Sequence, residues 1–122
     1  MKTEQSQRSR QAKIGRAAMV QPVADAALAV IGKHFNLTEE ILLNYSRIDA
    51  YFWPRCMAIY LTRKISGCGY IALAQVFKRN SHTVARWACK YVLSQLSTEK
   101  KALSKELGGY ETEILKVLNR NT

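Results

Sequence analysis

The stretch YIALAQVFKRNSHTVARWACKYV, residues 70–92, contains two short helical patterns separated by a tight polar turn. Apolar residues recur at three- and four-residue spacings in YIALAQVF and again in SHTVARWACKYVLSQL, and this period predicts an α-helix in each. The intervening KRNS has the composition of a turn. Two helices joined by about four residues indicate a helix-turn-helix, although many helical hairpins share this pattern.

The second of these helices is predicted to have two different faces. Its packing face carries mostly small residues at spacings of four, three and four: Ser81, Ala85, Ala88 and Val92. These would pack against Leu73, Ala74 and Phe77 of the first helix. The opposite face carries Thr83, Arg86, Trp87 and Lys90, with His82 at its edge. A DNA recognition helix needs such a polar, basic face, because its first turn meets base edges and later basic residues meet phosphates. A core position for Trp87 is the alternative.

The cluster NSHTV, residues 80–84, is compatible with a metal site, a catalytic histidine, a helix cap or a DNA-reading edge. His34 is the only other histidine and no cysteine lies near it at ligand spacing, which argues against zinc. Cys89 lies seven residues after His82, near the opposite face, and no carboxylate in this stretch could orient a base. A cap at Ser81 would suit DNA reading, because both use the same turn. We therefore expect no metal, no cofactor and no enzymatic activity.

Helical patterns also account for the rest of the chain, so the predicted fold is an all-α bundle. Helices are expected at residues 22–35, after a cap at Thr38, from Pro54 in a first turn to Ile65, and on both sides of a Gly-Gly break at 108 and 109. The segment SRIDAYF is predicted as a connector, with its aromatic residues and Trp53 in the core. The predicted organisation is a basic flexible arm at residues 1–20, a DNA-binding domain at 21–97 and a helical extension at 98–122. Apolar residues of the extension would dock on the bundle or pair two chains: Ile114, Leu115, Val117 and Leu118.

Charge points to a polyanionic partner. The net charge is +10, and no acidic residue occurs between Asp49 and Glu99. A folded segment with one sign of charge attracts polyanions, so nucleic acid is the leading expected partner and acidic membrane is the second.

The sequence also bears on where the protein acts. No apolar run approaches the roughly 18 residues of a membrane span, and the N-terminus has no stretch typical of a signal peptide. The three cysteines lack a C-x-x-C pattern and are expected to be buried thiols. A cytoplasmic, nucleoid-associated protein is the resulting expectation.

Residues 54–92, PRCMAIYLTRKISGCGYIALAQVFKRNSHTVARWACKYV, resemble the C-terminal DNA-binding domain, domain IV, of the bacterial replication initiator DnaA. The family pattern runs approximately A/P-R-Q-x-A-M-Y-L-x-R-E-L, a serine-rich turn, I-G-x-x-F and G-x-R-D-H-[S/T]-T-V-x-x-A, and it fits this chain without a gap. The similarity extends back through VIGKHFNLTEEILLNYSR and covers roughly residues 24–95. It implies a helical bundle with a helix-turn-helix that binds short duplex sites at replication origins.

The resemblance also implies roles for individual residues. Arg47 matches an arginine that enters the minor groove, Arg55 matches a phosphate contact, and His82 and Thr83 match the residues that read the major groove. Arg63 and Lys90 fall on basic positions of the pattern. The full set of predicted DNA contacts is Arg47, Arg55, Arg63, Lys78, Arg79, Asn80, Ser81, His82, Thr83, Val84, Arg86, Trp87 and Lys90.

Several positions depart from the family pattern. Asn80 and Ser81 replace its arginine and aspartate, Val84 replaces its second threonine, and Cys56 replaces its glutamine. Leu73 and Ala74 stand in place of its isoleucine and glycine. Serine discriminates bases less than aspartate, and valine offers only methyl contact. We therefore expect a preferred site that differs from the initiator's usual box.

Three functions are compatible with these features. The first is a sequence-specific duplex DNA-binding protein that modulates replication initiation or transcription at initiator-like sites. No G-x-x-x-x-G-K-[S/T] phosphate loop is present, so this role is expected to lack ATPase activity. The second is a protein-interaction module that holds the replication initiator or another replication protein. The third is an RNA-binding adaptor that depends mainly on charge.

Overall fold

Six α-helices form the part of the chain that the computed structural model describes, namely residues 20–44, 49–79, 81–98 and 100–120 without the Asp49 side chain. The helices are α1 (Val20–Phe35), α2 (Glu39–Leu43), α3 (Asp49–Ser66), α4 (Tyr70–Val76), α5 (His82–Thr98) and α6 (Lys100–Arg120). No strand occurs within these ranges, and the predicted all-α class is confirmed. Residues 1–19, Arg47 and Asn80 lie outside the described residues.

Local hydrogen bonds explain where the first two helices end and begin. The Leu37 amide donates to the Gly32 carbonyl at 2.8 Å, and Asn36 adopts a positive φ of 55°, which together form a Schellman cap on α1. A Cβ at Gly32 would lie 2.5 Å from the Leu37 carbonyl oxygen, so this close approach requires glycine. The predicted cap on α2 is confirmed, because Thr38 Oγ1 accepts from the Ile41 amide at 3.2 Å.

Helix α3 lies at the centre of the bundle and packs against α1, α5, α2, α4 and α6. Its buried stripe includes Met57 and Leu61, both without solvent exposure. The core continues into the other helices through Leu28, Ile31, Phe77, Val92 and Ile114. One apolar cluster therefore holds the helix-turn-helix and the C-terminal helix on the same scaffold.

Helix α3 begins earlier than the sequence analysis predicted. The residues DAYF are helical and not a connector, and Pro54 lies inside the helix instead of in its first turn. Proline removes one helical hydrogen bond. Phe52 and Trp53 provide compensating contacts, since their rings lie 5.3 and 5.9 Å from the ring of Tyr91 on α5. Aromatic pairs of this kind contribute about 0.5–1.5 kcal/mol each beyond the area that they bury, which offsets part of the cost of the proline.

The predicted Gly-Gly break is also wrong, because α6 runs through Gly108 and Gly109 without interruption. Five buried side chains occur on both sides of the glycines: Leu103, Leu107, Tyr110, Ile114 and Leu118. Their burial against α1, α3 and α5 outweighs the cost of two glycines, which is about 1 kcal/mol each. Propensity alone therefore predicted the wrong boundary.

The C-terminal helix docks on the bundle of its own chain. Ile114 and Leu118 are buried, whereas Leu115 is exposed. His34 Nε2 lies 2.9 Å from a Glu113 carboxylate oxygen, and Lys64 Nζ lies 3.0 Å from Glu111 Oε2. Of the two arrangements that the sequence allowed for this segment, docking is the one observed. The boundary at residues 97 and 98 stays a prediction.

Replacing Gly108 or Gly109 with alanine is expected to stabilise the protein by about 0.5–1 kcal/mol, because alanine favours a helix more than glycine does. An added Cβ would meet no atom within 4 Å at either position. Urea unfolding of the single variants measures the change. Gly32→Ala is the matched control and should destabilise, because its Cβ would meet the Leu37 carbonyl. Destabilisation by both alanines in α6 would contradict the open environment described above.

Candidate nucleic-acid interface

The turn between α4 and α5 is defined by backbone hydrogen bonds. The Arg79 amide donates to the Ala74 carbonyl at 2.8 Å, and Lys78 has a φ of 55°, as in a Schellman cap. The family pattern has glycine at the position of Lys78, and a lysine in this conformation costs about 1–2 kcal/mol. Ser81 Oγ accepts from the Thr83 amide at 3.2 Å, so the predicted cap on α5 is confirmed.

Helix α5 has the two faces that the sequence predicted, except that Ser81, predicted on the packing face, is exposed because it lies before the first turn of the helix. Ala85, Ala88, Cys89 and Val92 are buried, and α4 and α5 pack against each other. The predicted contact residues are exposed along the other side: Ser81, His82, Thr83, Val84, Arg86, Trp87 and Lys90. Three of these, His82, Thr83 and Val84, occupy the first turn of the helix. This turn can therefore enter a groove while the alanine face stays on the bundle.

Trp87 lies between the two alternatives considered for it, a core position and a surface position. Its side chain is 52% exposed, yet its ring stacks on Tyr91 at 5.5 Å and 14° and lies 5.4 Å from the Phe52 ring. Trp53 also contacts Tyr91, so the four rings form one aromatic cluster. The cluster joins the recognition side of α5 to the first turns of α3. Those turns follow directly after the connector that contains Arg47.

Arg55 and Arg79 are placed differently from the other predicted contacts, because both are buried. Arg55 is 8% exposed and Arg79 is 9% exposed. Arg55 Nε donates to the Leu42 carbonyl at 2.7 Å, and its NH2 group donates to the Ile41 carbonyl at 3.2 Å. An NH2 group of Arg79 donates to the Asn44 carbonyl at 3.3 Å. These bonds cap carbonyls at the C-terminal end of α2, where a helix leaves acceptors without intrahelical donors.

Burial also perturbs the electrostatics of Arg55. Desolvation, followed by repulsion from the nearby charge of Arg79, lowers the pKa of Arg55. An arginine remains charged at neutral pH even so. Two desolvated cations are thus held by backbone carbonyls of one helix end. Their use as phosphate contacts stays a prediction, whereas their structural role is directly visible in these hydrogen bonds.

The remaining predicted cations within the described residues are exposed. The Arg63 guanidinium carbon lies 4.4 Å from the centre of the Tyr70 ring, so the side chain rests on the first residue of α4. Lys78 is exposed at the turn, and Lys90 and Arg86 are exposed on α5. Arg47 and Asn80 belong to the segments outside the described ranges. Their roles stay predictions.

The exposed apolar residues Ile71 and Leu93 were missed by the sequence analysis. Ile71, the second residue of α4, is 66% exposed. Helical periodicity predicts that an isoleucine in an apolar pattern is buried, so no feature of the sequence indicates that Ile71 is exposed. Together with the exposed Val84, it adds apolar surface to the helix-turn-helix. Such groups can contact thymine methyls.

The structure gives the cysteines little reactivity. All three are free and buried, as the sequence predicted. Burial raises the pKa of Cys56 to about 12 and that of Cys89 to about 11, so both thiols are protonated and weakly nucleophilic at neutral pH. Among the described residues, no group of three or more His, Cys, Asp or Glu could hold a metal ion. Within the same ranges, no helix is long and apolar enough to cross a membrane.

Comparison with known proteins agrees with this geometry. Residues 24–92 match the model of the bacterial dnaA protein helix-turn-helix family. The chain belongs to this family. It is also 26% identical over 92 residues to the chromosomal replication initiator protein DnaA of Bifidobacterium animalis subsp. lactis (strain AD011). The aligned region covers 75% of this chain and 16% of that protein. The chain thus spans a small part of the length of this DnaA relative.

The comparison with solved structures concerns the fold. A crystal structure of a DNA replication initiation factor superposes with a TM-score of 0.67 at 20% identity, covering 93% of this chain and 32% of that one. This likeness establishes the fold. The exposed face of α5 therefore belongs to a DnaA-type DNA-binding helix-turn-helix.

Arg55→Ala is expected to lower the free energy of unfolding by about 1–3 kcal/mol, because buried carbonyls of α2 would lose charged donors. Lys90→Ala is the matched control; it removes an exposed cation and should change stability by less than about 0.5 kcal/mol. Urea unfolding of both variants makes the comparison. Equal stability of the two variants would show that the Arg55 bonds contribute little to the fold.

Proposed function

We propose that this protein binds duplex DNA at specific, initiator-like sites and thereby modulates replication initiation or transcription, without ATPase activity. The observation that carries the proposal is the contiguous exposed face on the first turns of α5, opposite a buried alanine face. Its family membership supports duplex DNA as the ligand. A DNA-binding protein of this kind would act in the cytoplasm on the nucleoid.

The first turn of α5 supplies the base readers of this proposal. The side chains of His82 and Thr83 are exposed there, next to the Ser81 cap. Val84 adds an exposed methyl surface that would meet a thymine methyl. Ser81 and Val84 replace the aspartate and threonine of the family pattern, so the preferred site would differ from the usual initiator box.

Cations around this turn supply the phosphate contacts. Arg86 and Lys90 lie one and two turns further along α5, Lys78 lies at the preceding turn, and Arg63 lies beside the start of α4. Arg47 would enter the adjacent minor groove from the connector. Phosphate contacts position a protein on DNA without reading sequence, so these cations would provide affinity and the first turn would provide specificity.

A protein partner is the second candidate function. The exposed Ile71, Trp87 and Leu93 favour it, because large apolar side chains on a surface are typical of protein contacts. Such a module would hold the replication initiator or another replication protein. Duplex binding that is weak and insensitive to sequence would favour this alternative.

Affinity for duplex DNA is expected to fall steeply with salt. About five phosphate contacts give a slope near −4 to −5 in a plot of log affinity against log salt concentration. Gel shifts between about 50 and 200 mM salt, with initiator-box and scrambled duplexes, measure the slope. A flat response would contradict duplex binding as the main activity.

His82→Ala or Thr83→Ala is expected to cost about 1–3 kcal/mol of binding to the preferred site and far less on random duplex. Both side chains are exposed, so stability should change little. Ser97→Ala is the matched control, because Ser97 is exposed near the far end of the same helix and should leave binding unchanged. Equal losses on specific and random duplexes would show that His82 and Thr83 do not read bases.

The double substitution Ser81→Asp with Val84→Thr restores two residues of the family pattern. It is expected to move the preferred site toward the usual initiator box. Selection of binding sites from random duplexes, run in parallel on the wild type and the double variant, compares the preferences. Identical selected sites would mean that this turn acts only as a helix cap.

A further inference from the structure

A second basic surface lies on α6, which contributes nothing to the interface proposed above. Its outer face is defined here by Lys101, Lys105, Thr112, Lys116 and Arg120, all exposed. At 100° per residue they lie on the side opposite the buried residues Leu103, Leu107, Tyr110, Ile114 and Leu118. From Lys101 to Arg120 the face extends about 28 Å at 1.5 Å per residue.

The carboxylates of α6 are kept off this outer face by contacts with the helix itself and the bundle. Glu106 Oε1 accepts from the Tyr110 hydroxyl at 2.7 Å. Glu111 pairs with Lys64 on α3, and Glu113 pairs with His34 on α1. The salt bridges found among the described residues use none of the four outer-face cations. Among the described residues, the outer face therefore presents four cations that form no salt bridge.

The middle of the outer face is open. A Cβ at Gly108 or Gly109 would meet no atom within 4 Å, so no packing contact in the described structure requires glycine there. Two glycines in a helix interior reduce its stability. They also let a partner approach the helix backbone closely, between Lys105 and Lys116.

A groove of about 370 Å³ between α1 and α6 extends this charge. Its lining includes Lys33 from α1 and Lys116 and Arg120 from α6. Among the described residues, Glu113 is its only acidic lining residue, and it is paired with His34. Cations from two helices thus converge along one edge of the outer face.

The outer face is far from the reading edge of α5. Helix α6 packs against α1, α3 and α5. Its first turns share a groove with Tyr91 and Gln95 of α5. Gln95 follows His82 by 13 residues, which is about 20 Å along a helix. A duplex held by the first turn of α5 would therefore leave the outer face of α6 free.

We propose that the outer face of α6 binds the phosphate backbone of a second duplex segment, so that one chain bridges two DNA segments. This inference rests on the proposed DNA binding by the helix-turn-helix. A straight row of cations matches a rigid polyanion such as a duplex. The face has no aromatic residue on which single-stranded bases could stack. It also lacks the broad apolar surface that inserts into a membrane.

A capture assay tests the bridging. A duplex carrying the preferred site is fixed to beads, the full chain is bound, and a second, labelled duplex without that site is added at about 50 mM salt. The wild type should retain the second duplex. The triple variant K101Q/K105Q/K116Q should hold the fixed duplex with unchanged affinity and retain at least about tenfold less of the second, since each lost phosphate contact weakens salt-dependent binding.

Two control variants separate charge from structure and from the first interface. K101R/K105R/K116R keeps the charge and should retain the second duplex like the wild type. R86A/K90A should fail to hold the fixed duplex, which tests the helix-turn-helix separately. Circular dichroism and urea midpoints check that each variant is folded.

Several outcomes would overturn the bridging proposal. One is retention of the second duplex by the folded glutamine variant, as expected if bridging came from pairing of two chains. Another is a wild type that holds the fixed duplex but no second one, which would leave the proposed function intact. A third is a wild type whose outer face captures vesicles containing anionic lipid but no second duplex. If the fixed duplex itself is not held, the proposed function fails, and the bridging that rests on it fails too.

Discussion

The packing of α4 against α5 is the constraint on which the candidate interface depends. Ala74 on α4 and Ala85 and Ala88 on α5 are buried, and the two helices pack against each other. Small side chains let helix axes come close, and burial of one face determines which residues face outward. Because helical periodicity is rigid, burial of Ala85 and Ala88 turns His82, Thr83, Arg86 and Lys90 toward solvent together. A larger residue at either alanine would displace the helix and every predicted contact with it.

The basic residues of this chain have two different uses. Arg55 and Arg79 are buried and donate to carbonyls at the end of α2, so they hold the segment that leads into the connector. Arg86 and Lys90 are exposed and available to a polyanion. Sequence alone assigns all four to DNA, because the family resemblance and charge patterning identify cations without their surroundings. Burial shows that the arginines with hydrogen-bonded carbonyls stabilise the fold, whatever they contribute to phosphate binding.

An aromatic cluster and two salt bridges connect helices that are distant in the sequence. The aromatic cluster of Phe52, Trp53, Trp87 and Tyr91 joins the start of α3 to the recognition side of α5. The pairs of Glu111 and Glu113 with α3 and α1 hold α6 against the same bundle. Each exposed pair contributes little by itself, and the burial of Ile114 and Leu118 supplies most of the docking. The paired carboxylates nevertheless leave the outer face of α6 positive.

The sequence by itself determined the all-α class, the helix-turn-helix, the caps at Thr38 and Ser81, and the two faces of α5, because these depend on periodicity and on hydrogen bonds between near neighbours. Tertiary structure decided the rest. Packing against distant helices extended α3 through DAYF and carried α6 across Gly108 and Gly109, since burial energy there exceeds local propensity. It also decided that Arg55 is buried, that Ile71 is exposed and that Trp87 is half exposed. The accessibility of a side chain depends on residues far away in the chain, so no local pattern contains it.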